Sequence, residues 1–208
     1  MSFFAPSVTT ESDALFSFIE QQAIQLRLTA FDLTDEQART TPTTSALSIS
    51  GLIAHSAQVI YGWMQQVKDP SRVFTLDDYM SFGRAIGIEE MCDGSVVPDL
   101  TLAELLAAFD TATAEIAAAR GLVDNGQVDL DSTVPVPDMP WYPKDFVMNV
   151  RWILNHISTE LARHAGHADI IRESIDGAIA YELNARADGE PWPPEYLTDD
   201  AEPSLPEH

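Results

Sequence analysis

The chain has 208 residues, 45% of them hydrophobic, which is enough apolar side chain for one domain with a sizeable core. Thirty-three acidic residues against eleven basic ones give a formal net charge of −22, and this excludes nucleic acid as a partner because phosphate binding requires basic side chains. A signal segment and an apolar run of ~20 residues are both missing, and the only cysteine, Cys92, excludes an intrachain disulfide, so we expect a cytoplasmic protein with no membrane partner.

The first half of the chain predicts two amphipathic helices. Residues 11–33 carry apolar side chains at spacings of three and four after a Thr/Ser/Asp start that suits N-capping. A polar stretch follows, and its terminal serines are suited to cap a second helix over about 49–67. Residues 70–98 predict a crossover segment with one short helix. Within it we interpret Cys92 as a small packing residue, since no neighbouring base or cation motif is present to activate its thiol.

The second half predicts two more long helices. Residues 101–122 are alanine-rich and apolar at helical spacing, and after a proline-punctuated aromatic loop residues 146–175 predict the longest helix. A short helix is expected over 178–186. The fold class is therefore all-α: a four-helix bundle over residues 1–187 with a crossover connection and short extra helices, followed by a proline-rich acidic tail over 188–208.

Three ionisable residues fall on predicted inward faces. Glu160 and His164 lie four residues apart on the apolar stripe of the last long helix, so both side chains project from one face. His55 falls on the apolar stripe of the second helix, which is marked by Leu52, Val59 and Trp63. Burying such a group unsatisfied costs about 2–7 kcal/mol, and a shared divalent cation would satisfy all three. Two imidazoles and a carboxylate form a catalytic zinc set with an open position, although nickel, iron and manganese accept the same ligands.

Each of these residues also has a plainer interpretation. A single inward histidine is more often a hydrogen-bonded core residue, and Glu160 could instead form a surface pair with Arg163. His156 and His167 lie on neighbouring faces of the same helix, where they are alternate metal ligands or groups that contact the ligands. A di-iron bundle site is disfavoured because only one Glu–His pair occurs, at the wrong spacing.

Two segments resemble motifs of the DinB-like metalloenzyme superfamily. SISGLIAHSAQVIYGWM is similar to its second-helix motif and RWILNHISTELARHAGHADIIRESIDG to its last core helix, in the same order and separation. The resemblance implies one divalent metal bound by His55, Glu160 and His164. The Glu-x-x-x-His pair is similar to that of an actinobacterial branch that includes mycothiol-dependent maleylpyruvate isomerase, which favours thiol-dependent chemistry without transferring that enzyme's substrate.

The resulting functional hypothesis is an enzyme whose metal lowers the pKa of a low-molecular-weight thiol, such as mycothiol, for transfer or addition to a small-molecule electrophile. The candidates for the pocket rim are Trp63, Trp141, Tyr142, Trp152 and Arg84. Trp141 and Tyr142 are favoured because they lie in a loop beside the bundle, whereas Trp63 and Trp152 are as readily explained by core packing. Two alternatives stay open: a hydrolase that activates water with the same ligands, and a non-catalytic metal-binding or interaction module, including a homodimer.

Overall fold

The computed structural model describes residues 3–136, 142–143 and 145–194. Over these residues the fold is all-α, as predicted, apart from one two-stranded antiparallel pair. The elements in chain order are α1 (Glu11–Leu28), α2 (Asp35–Arg39), α3 (Ile49–Lys68), α4 (Leu76–Ala85), α5 (Leu102–Asp124), β1 (Thr133–Val134), β2 (Met148–Asn149), α6 (Val150–Asp176) and α7 (Ala180–Asp188).

The four long helices, α1, α3, α5 and α6, form the bundle. The helix α3 packs against α5 and α6, and α1 packs against the same two helices. The first two long helices of the chain therefore lie diagonally across the bundle, which differs from a simple up-and-down order. The connection from α3 to α5 is the predicted crossover, and it contains α4.

The apolar stripe predicted for α6 is buried, whereas that predicted for α3 is partly wrong. The six stripe residues of α6 are at most 2% exposed: Val150, Ile153, Ile157, Leu161, Ala168 and Ile171. In α3, Leu52 is fully buried as predicted, whereas Val59 and Trp63 are only partly buried. Ile60 and Met64 also lie in the core. The face of α3 that carries Val59 and Trp63 is apolar because it lines a cavity.

The start of α6 differs from the prediction. The helix begins at Val150 instead of residue 146, because Met148 and Asn149 first pair with β1. The Asn149 side chain then accepts a hydrogen bond from the Trp152 amide and caps the helix. The sequence offered no alternating pattern for strands of only two residues.

The region after α1 also differs from the prediction. The helix α1 ends at Leu28 instead of residue 33, and Asp32 adopts a left-handed backbone conformation with φ of 64°. The polar linker that follows contains α2, which is only one turn long. It forms because Thr34 and Gln37 make a reciprocal capping box.

The last helix, α7, starts and ends two residues later than the predicted 178–186. Reciprocal amide hydrogen bonds dock it on α1: Gln25 Nε2 donates to Asn184 Oδ1 at 3.1 Å, and Asn184 Nδ2 donates to Gln25 Oε1 at 2.9 Å. Residues 195–208 of the predicted tail lie outside the described residues, so the boundary at residue 187 stays a prediction. No described helix is both long and apolar enough to cross a membrane.

Candidate metal centre

His55 on α3 and the pair Glu160 and His164 on α6 come together at the interface of these two helices. The Glu160 Oε1 atom lies 3.2 Å from His164 Nε2 and 3.5 Å from His55 Nε2. One ligand atom from each residue lies within 4.8 Å of the other two. The side chains of His55, Glu160 and His164 are 18%, 27% and 11% exposed, so the cluster is largely shielded but reachable from solvent.

A backbone carbonyl orients His55. The Nδ1 atom lies 2.8 Å from the carbonyl oxygen of Cys92, and since a carbonyl can only accept, Nδ1 carries the proton. In the neutral ring, Nε2 therefore presents its lone pair toward Glu160. A histidine metal ligand is typically held in this way, with its second ring nitrogen donating to a carbonyl or carboxylate.

The protonation states also suit metal binding. Burial acts to raise the pKa of Glu160, but His164 and His55 outweigh it and hold that pKa below its ordinary value. Burial and the neighbouring His55 lower the pKa of His164, although Glu160 opposes this shift. At neutral pH the carboxyl group is therefore ionised and the His164 imidazole neutral, and these are the forms that bind metal.

The donor atoms fit a divalent cation. Two ligands about 2.1 Å from a zinc ion at a tetrahedral angle lie about 3.4 Å apart, and the two measured separations are 3.2 Å and 3.5 Å. Within the described residues, the buried Nδ1 of His164 has no hydrogen-bond partner. An ion between the facing Nε2 and Oε1 atoms would not contact this Nδ1, but it would separate two acceptors that face each other at 3.5 Å, the Nε2 lone pair of His55 and the Glu160 carboxylate.

The loop that carries Cys92 is held against α3 by contacts that the sequence did not reveal. Gln58 Oε1 accepts from the Cys92 amide at 3.0 Å, and Gln58 Nε2 donates to the Glu90 carbonyl at 2.6 Å. Gly51 permits the close approach of this loop, because a β-carbon there would overlap the carbonyl oxygen of Gly94. Gln58 thereby holds in place the carbonyl group that orients His55.

The Cys92 thiol itself is not activated. Burial, together with the charges of Glu90 and Asp93, raises its pKa to about 11. The group is therefore a neutral thiol near pH 7, and thiolate is the reactive form. This supports the interpretation of Cys92 as a small packing residue, while its backbone carbonyl contacts the candidate ligand His55.

A cavity of about 320 Å³ opens beside His55, between α3, α4 and the loop that carries Cys92. Its described walls are mainly apolar and aromatic, and they include Trp63, Tyr79, Phe82 and Tyr142. Three of these four aromatic residues lie on helices α3 and α4, and the α4 residues were not singled out as pocket residues from the sequence. Their helical spacing was visible, but not which face of α4 would meet α3.

The predicted rim residues have different locations. Trp63 and Tyr142 line the cavity, whereas Trp141 lies outside the described residues. Trp152 is not among the described lining residues; its ring lies 6.1 Å from that of Trp63 in an edge-to-face contact. Arg84 is exposed on α4 and is likewise not among the described lining residues.

The alternate ligands do not join the cluster within the part of the chain that the structure describes. The His156 ring stacks on Trp152 at 4.9 Å. His167 is exposed, with its ring 5.7 Å from that of His164. Glu160 faces the two histidines of the cluster, and the alternative of a surface pair with Arg163 is not what the geometry shows.

An all-α bundle with a histidine on its second long helix and a Glu–His pair one turn apart on its last long helix is a DinB-like bundle. The chain belongs to the mycothiol-S-transferase family, whose model matches residues 14–177, and the name of the family points to an enzyme. A conserved protein from Enterococcus faecalis has a similar fold: the TM-score is 0.55 at 16% identity, covering 82% of this chain and 100% of that one. No curated protein matches the sequence.

Proposed function

We propose that this protein is a metal-dependent transferase that joins a low-molecular-weight thiol of the mycothiol type to a small electrophile. The observation that carries the proposal is the convergence of His55 and His164 on one oxygen of Glu160 beside an open cavity. Membership of the mycothiol-S-transferase family supports the thiol as cosubstrate. Zinc is the preferred ion because two imidazoles and a carboxylate suit it, and nickel, iron and manganese are the alternatives.

His55, Glu160 and His164 would hold the ion, which when bound would lower the pKa of a thiol and stabilise its thiolate. The Cys92 carbonyl accepts from Nδ1 of His55, so in the neutral imidazole Nε2 would be the ligand atom. The cavity beside His55 would hold the electrophile near the cluster. In transfer, sulfur gives an electron pair to carbon, the leaving group departs with its bonding pair and the thiol proton passes to solvent. In an addition reaction there is no leaving group, and the electrophile takes up the thiol proton.

Metal content tests the first half of the proposal. Protein purified without a nickel column is offered zinc, nickel, iron and manganese in turn, and bound metal is measured by elemental analysis. We expect about one ion per chain in the wild type, and loss of that ion in His55→Ala and in the double variant Glu160→Ala/His164→Ala. The matched control is His167→Ala, an exposed histidine on the same helix, which should retain the ion.

Thiol consumption tests the second half. The metal-loaded protein is mixed with mycothiol and 1-chloro-2,4-dinitrobenzene, and formation of the thioether is followed by absorbance. A rate above that of the uncatalysed reaction, lost in the ligand variants, supports the transferase. A wild type that stays metal-free with every ion rejects the metal centre. If the metal-loaded protein does not accelerate thiol consumption, the thiol-transferase hypothesis is wrong. The remaining hypotheses are then a hydrolase and a metal-binding module.

A further inference from the structure

We infer that the cavity beside His55 is the electrophile subsite and that it selects an uncharged apolar or aromatic molecule over a carboxylate. This inference rests on the proposed function, because the molecule bound in the cavity reacts as an electrophile only if the neighbouring centre activates a thiol. The selectivity of the cavity, however, follows from its walls alone and is testable without turnover.

The walls offer apolar surface and few free hydrogen-bonding groups. Tyr79 and Phe82 from α4 contribute rings that meet edge to face at 5.7 Å, and Trp63 from α3 also lines the cavity. Two polar groups in the wall are already engaged in hydrogen bonds: the Gln58 amide bonds to the backbone of the Cys92 loop, and Nδ1 of His55 bonds to the Cys92 carbonyl. A polyhydroxylated thiol would find few partners here, whereas an aromatic molecule would bury its surface.

The charge of the lining disfavours an anion. No lysine or arginine occurs among the described lining residues, and Glu89 is among them. The whole chain carries a formal charge of −22. A carboxylate in the cavity would lose hydration without gaining a cationic partner from the described walls.

The entrance and the size of the cavity agree with this ligand class. Leu76 and Met91 line the cavity and are 49% and 62% exposed, so they form an apolar mouth open to solvent. A volume of about 320 Å³ is near the lower end of small-molecule sites, which range from about 300 to 1,000 Å³. The cavity therefore suits one small ring system.

The selectivity is tested by binding alone, on the full-length protein without added thiol or metal. The uncharged dye N-phenyl-1-naphthylamine, which fluoresces in apolar sites, is displaced by 2-naphthamide and by 2-naphthoate, two ligands of nearly the same shape. We expect the amide to displace the dye at a concentration at least about tenfold lower than the carboxylate. Equal displacement, or tighter binding of the carboxylate, overturns the inference.

The location is tested by filling the cavity. A β-carbon at Gly62 would lie 3.8 Å from the rings of Tyr79 and Phe82, an ordinary contact, and Gly62→Leu extends from there. Gly121→Leu makes the same change on α5, where a β-carbon meets nothing within 4 Å. We expect dye affinity to fall about tenfold in the first variant only. If Gly62→Leu does not fold, Gly62→Ala replaces it in the test. Unchanged dye affinity in a folded Gly62 variant would contradict the proposed location of the binding site.

The two proposals fail in different ways. If the protein binds the amide selectively but never binds metal, the proposed thiol chemistry is wrong and the inferred selectivity of the cavity is supported. If the protein binds metal and consumes thiol but its cavity prefers 2-naphthoate, only the inference about the electrophile is wrong.

Discussion

Gln58 holds the loop whose carbonyl group accepts the hydrogen bond from His55. It bonds both Glu90 and Cys92, so Gln58→Leu should free the loop and let the carbonyl acceptor of His55 move. If the proposed metal centre exists, we expect metal affinity to fall about 10- to 100-fold, measured by competition with a coloured chelator.

The matched control for this prediction is Gln65→Leu, since Gln65 lies on the same helix but bonds Glu115 on α5 instead of the Cys92 loop. Equal losses in the two variants would mean that any damage to α3 weakens the centre. Unchanged affinity in Gln58→Leu would show that the carbonyl contact does not position His55.

Asp169 on α6 makes stability depend on pH. Burial, together with the charge of Glu173, raises its pKa to about 6 from the model-compound value of 3.8. Because the folded pKa is the higher one, the contribution of this carboxyl group to stability is full below pH 3.8 and is lost as the pH rises through 6. Asp169→Asn should therefore raise the melting temperature at pH 7.5, with a gain that shrinks toward pH 4.5.

Thermal unfolding across this pH range measures the effect, and Asp99→Asn supplies the same charge change at an exposed loop position. The difference between the Asp169→Asn variant and wild type should follow a titration near pH 6. A difference that is constant with pH, or the same in the Asp99→Asn variant, would contradict the prediction.

The three clustered residues were predictable because each carries its signal in its own helix. Glu160 and His164 interrupt an apolar stripe at a spacing of one turn. The stripe used to place His55 was only partly right: Leu52 is fully buried, whereas Val59 and Trp63 are partly buried and line the cavity. An apolar pocket wall and an apolar core face have the same periodicity, so sequence alone cannot separate them.

Among the helices, Arg172 binds the end of α6 to the end of α1. Its side chain is 1% exposed, and Nη1 donates to the carbonyls of Thr29 at 2.9 Å and Phe31 at 2.7 Å. Its Nε and Nη2 atoms donate to Asp176 at 2.9 and 2.8 Å. Arg172→Met should therefore lower the free energy of unfolding by about 3 kcal/mol or more, because buried carbonyls and a carboxylate lose their donor.

Urea unfolding measures this change, with Arg163→Met as a control on the exposed face of the same helix. The control should stay within about 0.5 kcal/mol of wild type. A loss of similar size in both variants would place the effect in the helix and not in the contact with α1.

The long helices were predictable from periodicity, whereas the short elements depend on contacts distant in sequence. The strands β1 and β2 exist only because residues 133–134 and 148–149 meet, and neither has a pattern of its own. The hydrogen bond from His55 to Cys92 likewise spans 37 positions. Backbone acceptors carry no sequence signal, so this part of the site required the structure.

On the scale of the whole molecule, the candidate metal centre links two long helices, α3 and α6. An ion that binds only the folded chain stabilises it by mass action, by about 2.7 kcal/mol at a free concentration 100 times its dissociation constant. For a chain of this length that corresponds to about 5–10 °C in melting temperature. We expect zinc to raise the melting temperature of the wild type by this amount and a chelator to reverse the rise.

A control for nonspecific cation binding is needed, because the chain has a net charge of −22 and an acidic surface attracts any cation. Magnesium at the same concentration reports this nonspecific effect, and the variant Glu160→Ala/His164→Ala keeps most of the surface charge while losing two of the three candidate ligands. A zinc-dependent rise confined to the wild type supports a built centre. An equal rise in the variant, or with magnesium, would assign the stabilisation to the acidic surface and leave His55, Glu160 and His164 as a hydrogen-bonded cluster.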